Sequence, residues 1–236
     1  MPRDFSHLAA QSVQNYRDPK ISEDVASARE RDGQVATLKT GVATVTKEQK
    51  LMRDLGDIPG FFPTMNDLAE RMCDEARVRF GTRVLEPSAG KGNTVRVCLA
   101  RGAKVTAVEL NYSLSVYLSG WKEIAQGQMN VYGQTDFLSL HSEDHEPYDA
   151  VVMNPPFENL QDIRHVRHAY DFLKTGGVLV AITSNSWTFG QRKEAAEFRE
   201  WLRYKPSSSE QLDYGTFLRS ERPTGVGTQK LVIEKE

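Results

Sequence analysis

The stretch Tyr148-Asp149-Ala150-Val151-Val152-Met153-Asn154-Pro155-Pro156-Phe157 joins a buried strand to an abrupt stop. Residues 150–153 are apolar without interruption, which is typical of a strand covered on both faces of a parallel sheet. The prolines end the strand because proline lacks a backbone N–H and has a fixed φ. They also keep Asn154 extended. Ligands of open α/β sheets bind at the carboxyl ends of the strands. The sequence therefore predicts a rigid turn there, which presents an amide, backbone carbonyls and a flat ring.

A second motif, Val84-Leu85-Glu86-Pro87-Ser88-Ala89-Gly90-Lys91-Gly92, lies upstream. It predicts a strand over 83–86, a glycine-bearing turn and a helix over 94–101. Glycines let the backbone approach a ligand closely, and the amino end of a helix carries partial positive charge. The next strand, over 104–110, ends near Glu109, where an acidic side chain about 20 residues after the turn can bind ribose hydroxyls. This pattern predicts a site for a nucleoside-bearing cofactor. Lys91 does not make it a Walker motif, because the Gly-Lys-Ser/Thr sequence is missing.

Taken together, the two motifs resemble those of the S-adenosylmethionine-dependent methyltransferases that methylate amino groups, of which the adenine-N6 DNA methyltransferases are the best-known group. The resemblance covers roughly residues 61–236, and this compact form is similar to enzymes of phage and mobile elements. It implies a Rossmann-like, seven-stranded, mostly parallel sheet with helices on both faces and an antiparallel last strand. We therefore expect a methyltransferase domain over 58–236, after a polar, partly helical or flexible segment over 1–57.

The resemblance also implies the site. The catalytic residues would be Asn154, Pro155, Pro156 and Phe157, with the Asn154 side-chain oxygen and the Pro155 carbonyl gripping the target amine and Phe157 stacking on its ring. The cofactor would be S-adenosyl-L-methionine. Its expected contacts lie in the segment before the first strand, the glycine turn, the end of the second strand, the segment after the third strand and the catalytic turn: Phe62, Thr64, Glu86, Pro87, Ser88, Ala89, Gly90, Gly92, Glu109, Leu110, Asp136, Phe137 and Asn154.

The expected substrate is the exocyclic N6 amine of adenine in DNA, methylated with low sequence specificity. Three alternatives stay open: methylation of adenine N6 or guanine N2 in RNA, methylation of a protein glutamine, and an inactive cofactor-binding protein that acts through a partner. Phe157 tilts against the glutamine alternative, because a side-chain amide has no ring to stack on. No long segment follows the catalytic motif as a target-recognition domain, which is why low specificity is expected.

Composition limits the remaining possibilities. The 236 residues include 30 basic and 32 acidic side chains, so no large basic field exists to hold nucleic acid by phosphate contacts alone. Cys73 and Cys98 are expected to be buried thiols in a reducing cytoplasm. There is no apolar stretch of membrane-spanning length and no signal peptide at the start, so we expect a cytoplasmic protein without membrane contact. We expect no metal either, and the sequence does not predict an oligomeric state.

Local patterns add several expectations. Thr64 is predicted to cap a helix over 65–79, with Asp67 in the capping-box position. Asp136 has a loop-capping alternative to its cofactor role. His165 and His168 are predicted to lie on the solvated face of a helix over 160–173. The remaining expectations are a turn over 174–177, a packing or a substrate-stacking role for Trp187, and late strands over 211–214 and 230–234.

Overall fold

The computed structural model describes residues 63–122, 125–213 and 227–236. Phe62, the whole of the predicted segment over 1–57 and Tyr214 lie outside these residues. Within them, the strands form one seven-stranded sheet. Their bounds are Arg83–Glu86 (β1), Lys104–Glu109 (β2), Met129–Gly133 (β3), Tyr148–Met153 (β4), Leu173–Ser184 (β5), Ser207–Gln211 (β6) and Thr228–Glu234 (β7).

The helices of the described residues alternate with the strands. Their bounds are Asn66–Glu75 (α1), Asn93–Ala100 (α2), Tyr112–Ser119 (α3), Gln161–Asp171 (α4), Ser186–Phe189 (α5) and Lys193–Arg203 (α6). Short 3₁₀ turns cover Phe137–Ser139, Ser142–Asp144 and Glu158–Leu160. No helix of the described residues is both long and apolar enough to cross a bilayer.

The strand order is β3-β2-β1-β4-β5-β7-β6. The first five strands in this order pair in parallel, and β7 runs antiparallel to both β5 and β6. This arrangement confirms the predicted Rossmann-like sheet with an antiparallel last strand. The chain order reverses between β1 and β4, which is the switch point where open α/β sheets bind ligands.

Alternating residues of the central strands feed two apolar cores. Helices α1, α2 and α3 cover one face of the sheet, against which Val84, Ala150 and Val180 point. Helices α4 and α6 cover the other face, over Val151 and Leu179. Residues 177–184 of β5 are buried without interruption, as expected of a central strand that is covered on both faces. The two layers leave the carboxyl edge of β1, β2 and β4 as the exposed end of the sheet.

Three elements differ from the prediction by more than two residues. Helix α1 ends at Glu75 instead of residue 79, since the chain turns at Arg77, whose φ is 57°. The predicted turn over 174–177 belongs to β5, which starts at Leu173 and carries the left-handed Gly176 within it. The late strand predicted over 211–214 lies earlier, at Ser207–Gln211, and all five of its residues are exposed. Hydrophobic alternation could not reveal an exposed edge strand.

Candidate active site

A cavity of about 700 Å³ opens at the carboxyl edge of the sheet. Its walls come from the segment before α1, the turn after β1, the end of β2, the segment after β3, the turn after β4 and the start of α4. The lining residues are Pro63, Thr64, Glu86, Pro87, Ser88, Ala89, Gly90, Lys91, Asn93, Thr94, Glu109, Leu110, Asn111, Tyr112, Leu114, Thr135, Asp136, Phe137, Leu138, Asn154, Pro156, Gln161, Arg164 and His165.

The turn after β1 is held by backbone hydrogen bonds. The Ala89 N–H donates to the Val108 carbonyl over 3.0 Å, which ties the turn to β2. The Gly90 N–H donates to Glu109 Oε2 over 2.7 Å. Gly92 is the left-handed N-cap of α2, with φ 84°, and lies against Trp121 of the core instead of in the cavity wall. The two glycines of the predicted turn therefore differ in position: Gly90 lines the cavity, whereas Gly92 packs against the core.

Two buried carboxyl groups end neighbouring strands beside this turn. Glu86 is 2% exposed, and burial raises its pKa to about 8. Its Oε1 accepts from the Ser88 N–H over 3.2 Å. Burial also raises the pKa of Glu109, although the N–H groups of Gly90 and Asn111 donate to its two carboxyl oxygens. These carboxyl groups give the cavity acceptors suited to hydroxyl or ammonium groups of a ligand.

The turn after β4 reaches the same cavity. β4 lies beside β1 with Leu85 opposite Val151, so Asn154 emerges next to the glycine turn. The Asn154 Nδ2 donates to Thr64 Oγ1 over 3.1 Å. Thr64 is thus not the helix cap that was predicted. Met65 occupies the N-cap of α1 without a side-chain hydrogen bond, and the Thr64 hydroxyl faces Asn154 instead. This bond ties the turn after β4 to the segment before α1.

The other residues of that turn divide between the cavity and the core. Pro156 lines the cavity, whereas Pro155 is buried outside its wall. Phe157 is half-buried and packs against the core on the α1–α3 face of the sheet. It is not among the lining residues, and its stacking on a substrate ring stays a prediction.

The segment after β3 supplies the opposite wall. Phe137 is 2% exposed and packs on Phe172, with 5.3 Å between the ring centroids. Asp136 lines the cavity, and its Oδ1 accepts from the Leu138 N–H over 3.0 Å, so it caps the 3₁₀ turn Phe137–Ser139. The loop cap that the sequence left as an alternative is therefore present. The cofactor role of Asp136 stays a prediction. Leu110, expected beside the adenine ring, lines the cavity with 65% of its surface exposed.

Helix α4 contradicts one prediction. His165 is not on a solvated face, because it is 7% exposed and lines the cavity. Its Nδ1 lies 3.3 Å from Ser88 Oγ. Asp162 of the same helix is fully buried, and its Oδ2 accepts from the N–H and the hydroxyl of Ser184, over 2.8 Å each. His168 is half-buried, with Nε2 3.0 Å from the Leu140 carbonyl.

Sequence reasoning missed several lining residues, above all Gln161, Arg164 and His165. One signal was available, because α4 begins directly after the catalytic turn and its first two turns must start at the ligand edge of the sheet. The undecided position Trp187 belongs to the core. It is 6% exposed, packs edge-on against Phe198, and donates from Nε1 to Thr183 Oγ1. In the described parts of the chain, no three His, Cys, Asp or Glu side chains are placed to hold a metal.

Comparison with known proteins gives a consistent picture. The sequence model of a family described as "Methyltransferase domain" matches residues 45–220. No curated protein matches the sequence. Similar folds include a modification subunit of a putative type I restriction enzyme from Vibrio vulnificus, at TM-score 0.62 and 15% identity over 80% of this chain. A putative class I S-adenosylmethionine-dependent methyltransferase from Listeria monocytogenes matches at TM-score 0.59 and 12% identity over 80% of this chain.

A structure from work on a type I restriction-modification system is also similar, at TM-score 0.62 and 18% identity over 80% of this chain. The present chain spans 47% of the Vibrio protein, 66% of the Listeria protein and 45% of the third. At these identities, the likeness concerns the fold of the shared part.

Proposed function

This chain belongs to the methyltransferase-domain family, and from that premise we propose that it methylates the exocyclic N6 amine of adenine in DNA. One observation carries the proposal. Asn154, of the Asn-Pro-Pro-Phe turn, and Gly90 and Glu109, of the predicted cofactor site, line the same cavity. An amide that could grip a base amine and a site that could hold a methyl donor therefore face one another.

The cofactor is S-adenosyl-L-methionine. It supplies a methyl group bound to a positively charged sulfur. The residues present suit it, because the cavity offers two carboxyl groups and backbone N–H groups at the amino end of α2. We assign Glu109 to the ribose hydroxyls and Glu86 to the ammonium group. Ser88, Ala89 and Gly90 form the wall of the turn around them, while Leu110, Asp136 and Phe137 frame the adenine. Pro87 and Thr64 line the remaining wall.

The catalytic turn would act on the methyl acceptor. A base amine is a poor nucleophile, because its lone pair is conjugated with the ring. The Asn154 side-chain oxygen and the Pro155 carbonyl would accept its two N–H groups, which favours a tetrahedral nitrogen with an available lone pair. Asn154 is neutral, so it orients and polarises the amine instead of deprotonating it. Most of the rate would then come from positioning and from fixed dipoles.

The Thr64 contact supports this role for Asn154. The bond from Nδ2 to Thr64 Oγ1 holds the Asn154 side chain in the cavity wall, where Oδ1 would accept from a substrate amine. The amide is set by the fold before any substrate arrives, and a preorganised acceptor costs no reorganisation during the reaction. Phe157 would stack on the target ring, an interaction of about 1–3 kcal/mol per base.

The descriptions of two similar structures favour DNA over RNA as the substrate. Two of the similar structures are described as a modification subunit of a putative type I restriction enzyme and as part of a type I restriction-modification system. A base in duplex DNA would have to leave the stack to reach the cavity, at a cost of a few kcal/mol. The chain has a net charge of −2, so phosphate contacts alone would hold DNA weakly.

Parallel transfer assays test the proposal. The protein is incubated with tritiated S-adenosylmethionine and, separately, with duplex DNA, single-stranded DNA, total RNA and denatured protein. We expect label in DNA, recovered as N6-methyladenine after digestion. The Asn154→Ala variant serves as the background control. Label in RNA or protein only would refute the DNA assignment, and cofactor binding without transfer to any acceptor would refute the enzymatic proposal altogether.

A further inference from the structure

His165 connects two walls of the cavity that the chain builds from distant segments. It lies in the second turn of α4, directly after the catalytic turn, and only 7% of its surface is exposed. Its Nδ1 is 3.3 Å from the hydroxyl oxygen of Ser88, in the glycine turn after β1. The two residues are 77 positions apart in sequence. Helix α4, which covers one face of the sheet, thus contacts the turn that follows β1.

The same imidazole ring packs against the opposite wall. Its centroid is 5.7 Å from that of Phe137, in a tilted arrangement. Phe137 is itself held by Phe172 and His168, at centroid distances of 5.3 and 4.8 Å. A buried cluster of rings therefore fixes one side of His165, while its Nδ1 is directed at Ser88.

The charge state of His165 suits this position. Burial lowers the pKa of the imidazole to about 4, so the ring is neutral at physiological pH. A neutral imidazole has one donor and one acceptor nitrogen, and a serine hydroxyl can pair with either. An uncharged ring in the wall also does not repel a cationic ligand. S-adenosylmethionine carries a positive sulfur and an ammonium group.

We propose that His165 is a positioning residue of the cofactor site, whose imidazole holds the Ser88 turn and the Phe137 wall at a fixed separation. The helix that starts at the catalytic turn would thereby keep the cofactor pocket in register with Asn154. This inference rests on the assignment of the cavity to S-adenosylmethionine, but it is independent of which acceptor is methylated.

A double-mutant cycle on cofactor binding tests the contact. His165→Phe keeps the ring packing on Phe137 and removes both ring nitrogens, and Ser88→Ala removes the hydroxyl. The dissociation constant for S-adenosylmethionine is measured by calorimetry without any methyl acceptor. Each single variant is expected to weaken binding about three- to tenfold, the range for one hydrogen bond. The double variant should bind no more weakly than either single variant, because both remove the same contact.

Arg167→Gln is the matched control on the same helix. Arg167 is exposed, its guanidinium lies 5.9 Å from the ring centroid of Trp201, and it is not among the residues that line the cavity. It should bind the cofactor like the wild type. Multiplicative losses in the double variant, or binding by His165→Phe within about twofold of the wild type, would overturn the proposal.

Thermal melting guards against a folding artefact. If His165→Phe does not fold, Ser88→Ala decides the question together with His165→Asn, which keeps a polar atom near the Nδ1 position. Ser88→Ala should then show the loss and His165→Asn should bind within about threefold of the wild type, and the reverse result overturns the proposal. Cofactor binding without methylation of DNA would refute the proposed function and leave the His165 inference intact.

Discussion

Replacing Thr64 by valine separates the orientation of Asn154 from everything else that the site does. Valine has nearly the shape of threonine, but it cannot accept the hydrogen bond from Asn154 Nδ2. That bond is 3.1 Å long and joins two neutral groups in a partly buried place. Thr64 is 5% exposed, so water has poor access to replace the lost acceptor. The Asn154 amide can then rotate and present its nitrogen to the substrate.

The size of the effect follows from the bond. A neutral hydrogen bond of this kind contributes about 0.5–1.5 kcal/mol, which corresponds to a decrease of about twofold to tenfold in the transfer rate at saturating cofactor. The dissociation constant for S-adenosylmethionine should stay within about twofold, because valine keeps the shape of the wall at position 64 and the lost bond orients Asn154, which is assigned to the methyl acceptor. Leaving one buried donor unsatisfied costs about 1–3 kcal/mol, and each kcal/mol lowers the melting temperature of a chain of this size by about 2–4 °C.

The assay compares single-turnover methyl transfer, calorimetric cofactor binding and thermal melting for three proteins. Thr64→Ser keeps the hydroxyl and loses only a methyl group, so it should transfer at close to the wild-type rate. Thr64→Val should show the loss in rate. Transfer by Thr64→Val as fast as by the wild type, or a loss of cofactor affinity as large as the loss in rate, would show that Thr64 does not orient Asn154.

Three further predictions concern separate parts of the molecule. Asn154→Ala should abolish methyl transfer by at least about a hundredfold while calorimetry finds cofactor binding nearly unchanged; collapse of binding instead would make Asn154 structural. Gly92→Ala would place a Cβ 2.7 Å from Leu118 Cδ2, at a residue whose φ is 84°. The melting temperature should therefore fall by several degrees, and cofactor affinity should fall with it. An unchanged melting curve would contradict the packing of Gly92 against Leu118. Burial raises the pKa of Glu86 from 4.5 to about 8. Between these values the folded state keeps a proton that the unfolded state has lost. The contribution of Glu86 to stability is therefore greatest below pH 4.5 and decreases as pH rises to 8. Denaturant titrations should therefore find Glu86→Gln more stable than the wild type above pH 8, and the difference should vanish near pH 4; a constant difference would show that charge burial is not the cause.

The strand bounds show which elements the pattern of neighbouring residues can predict. β1 spans Arg83–Glu86 as predicted, and the apolar run of β4 ends where Asn154 and Pro155 begin. Apolar runs and prolines act on the backbone within a few residues, so they can be read without knowing what lies nearby in space. β6 was misplaced because its five residues are exposed and carry no apolar alternation. An edge strand is defined by the hydrogen bonds of its neighbour, here β7.

The side-chain role of Thr64 depended on a partner that the local sequence does not contain, whereas the cap formed by Asp136 is local. Both residues are plausible helix caps. Asp136 does cap the 3₁₀ turn after it, whereas Thr64 instead accepts from Asn154, 90 positions along the chain. A threonine before a helix carries the same local signal in either case. Met65 is the N-cap of α1, and the Thr64 hydroxyl lies 3.1 Å from Asn154 Nδ2.

The sequence alone indicated an open α/β sheet, the order of the Gly90 and Asn154 turns, and the edge of the sheet where both lie, because strand ends, glycines and prolines impose their geometry locally. The seven-stranded arrangement was implied by the family resemblance. Only the tertiary structure decided which side chains face the cavity. His165 has the periodicity of an exposed helix position, yet it is buried, because the turn carrying Ser88 and the ring of Phe137 cover it. Burial of a polar side chain depends on what other segments bring to it, and that is settled by packing.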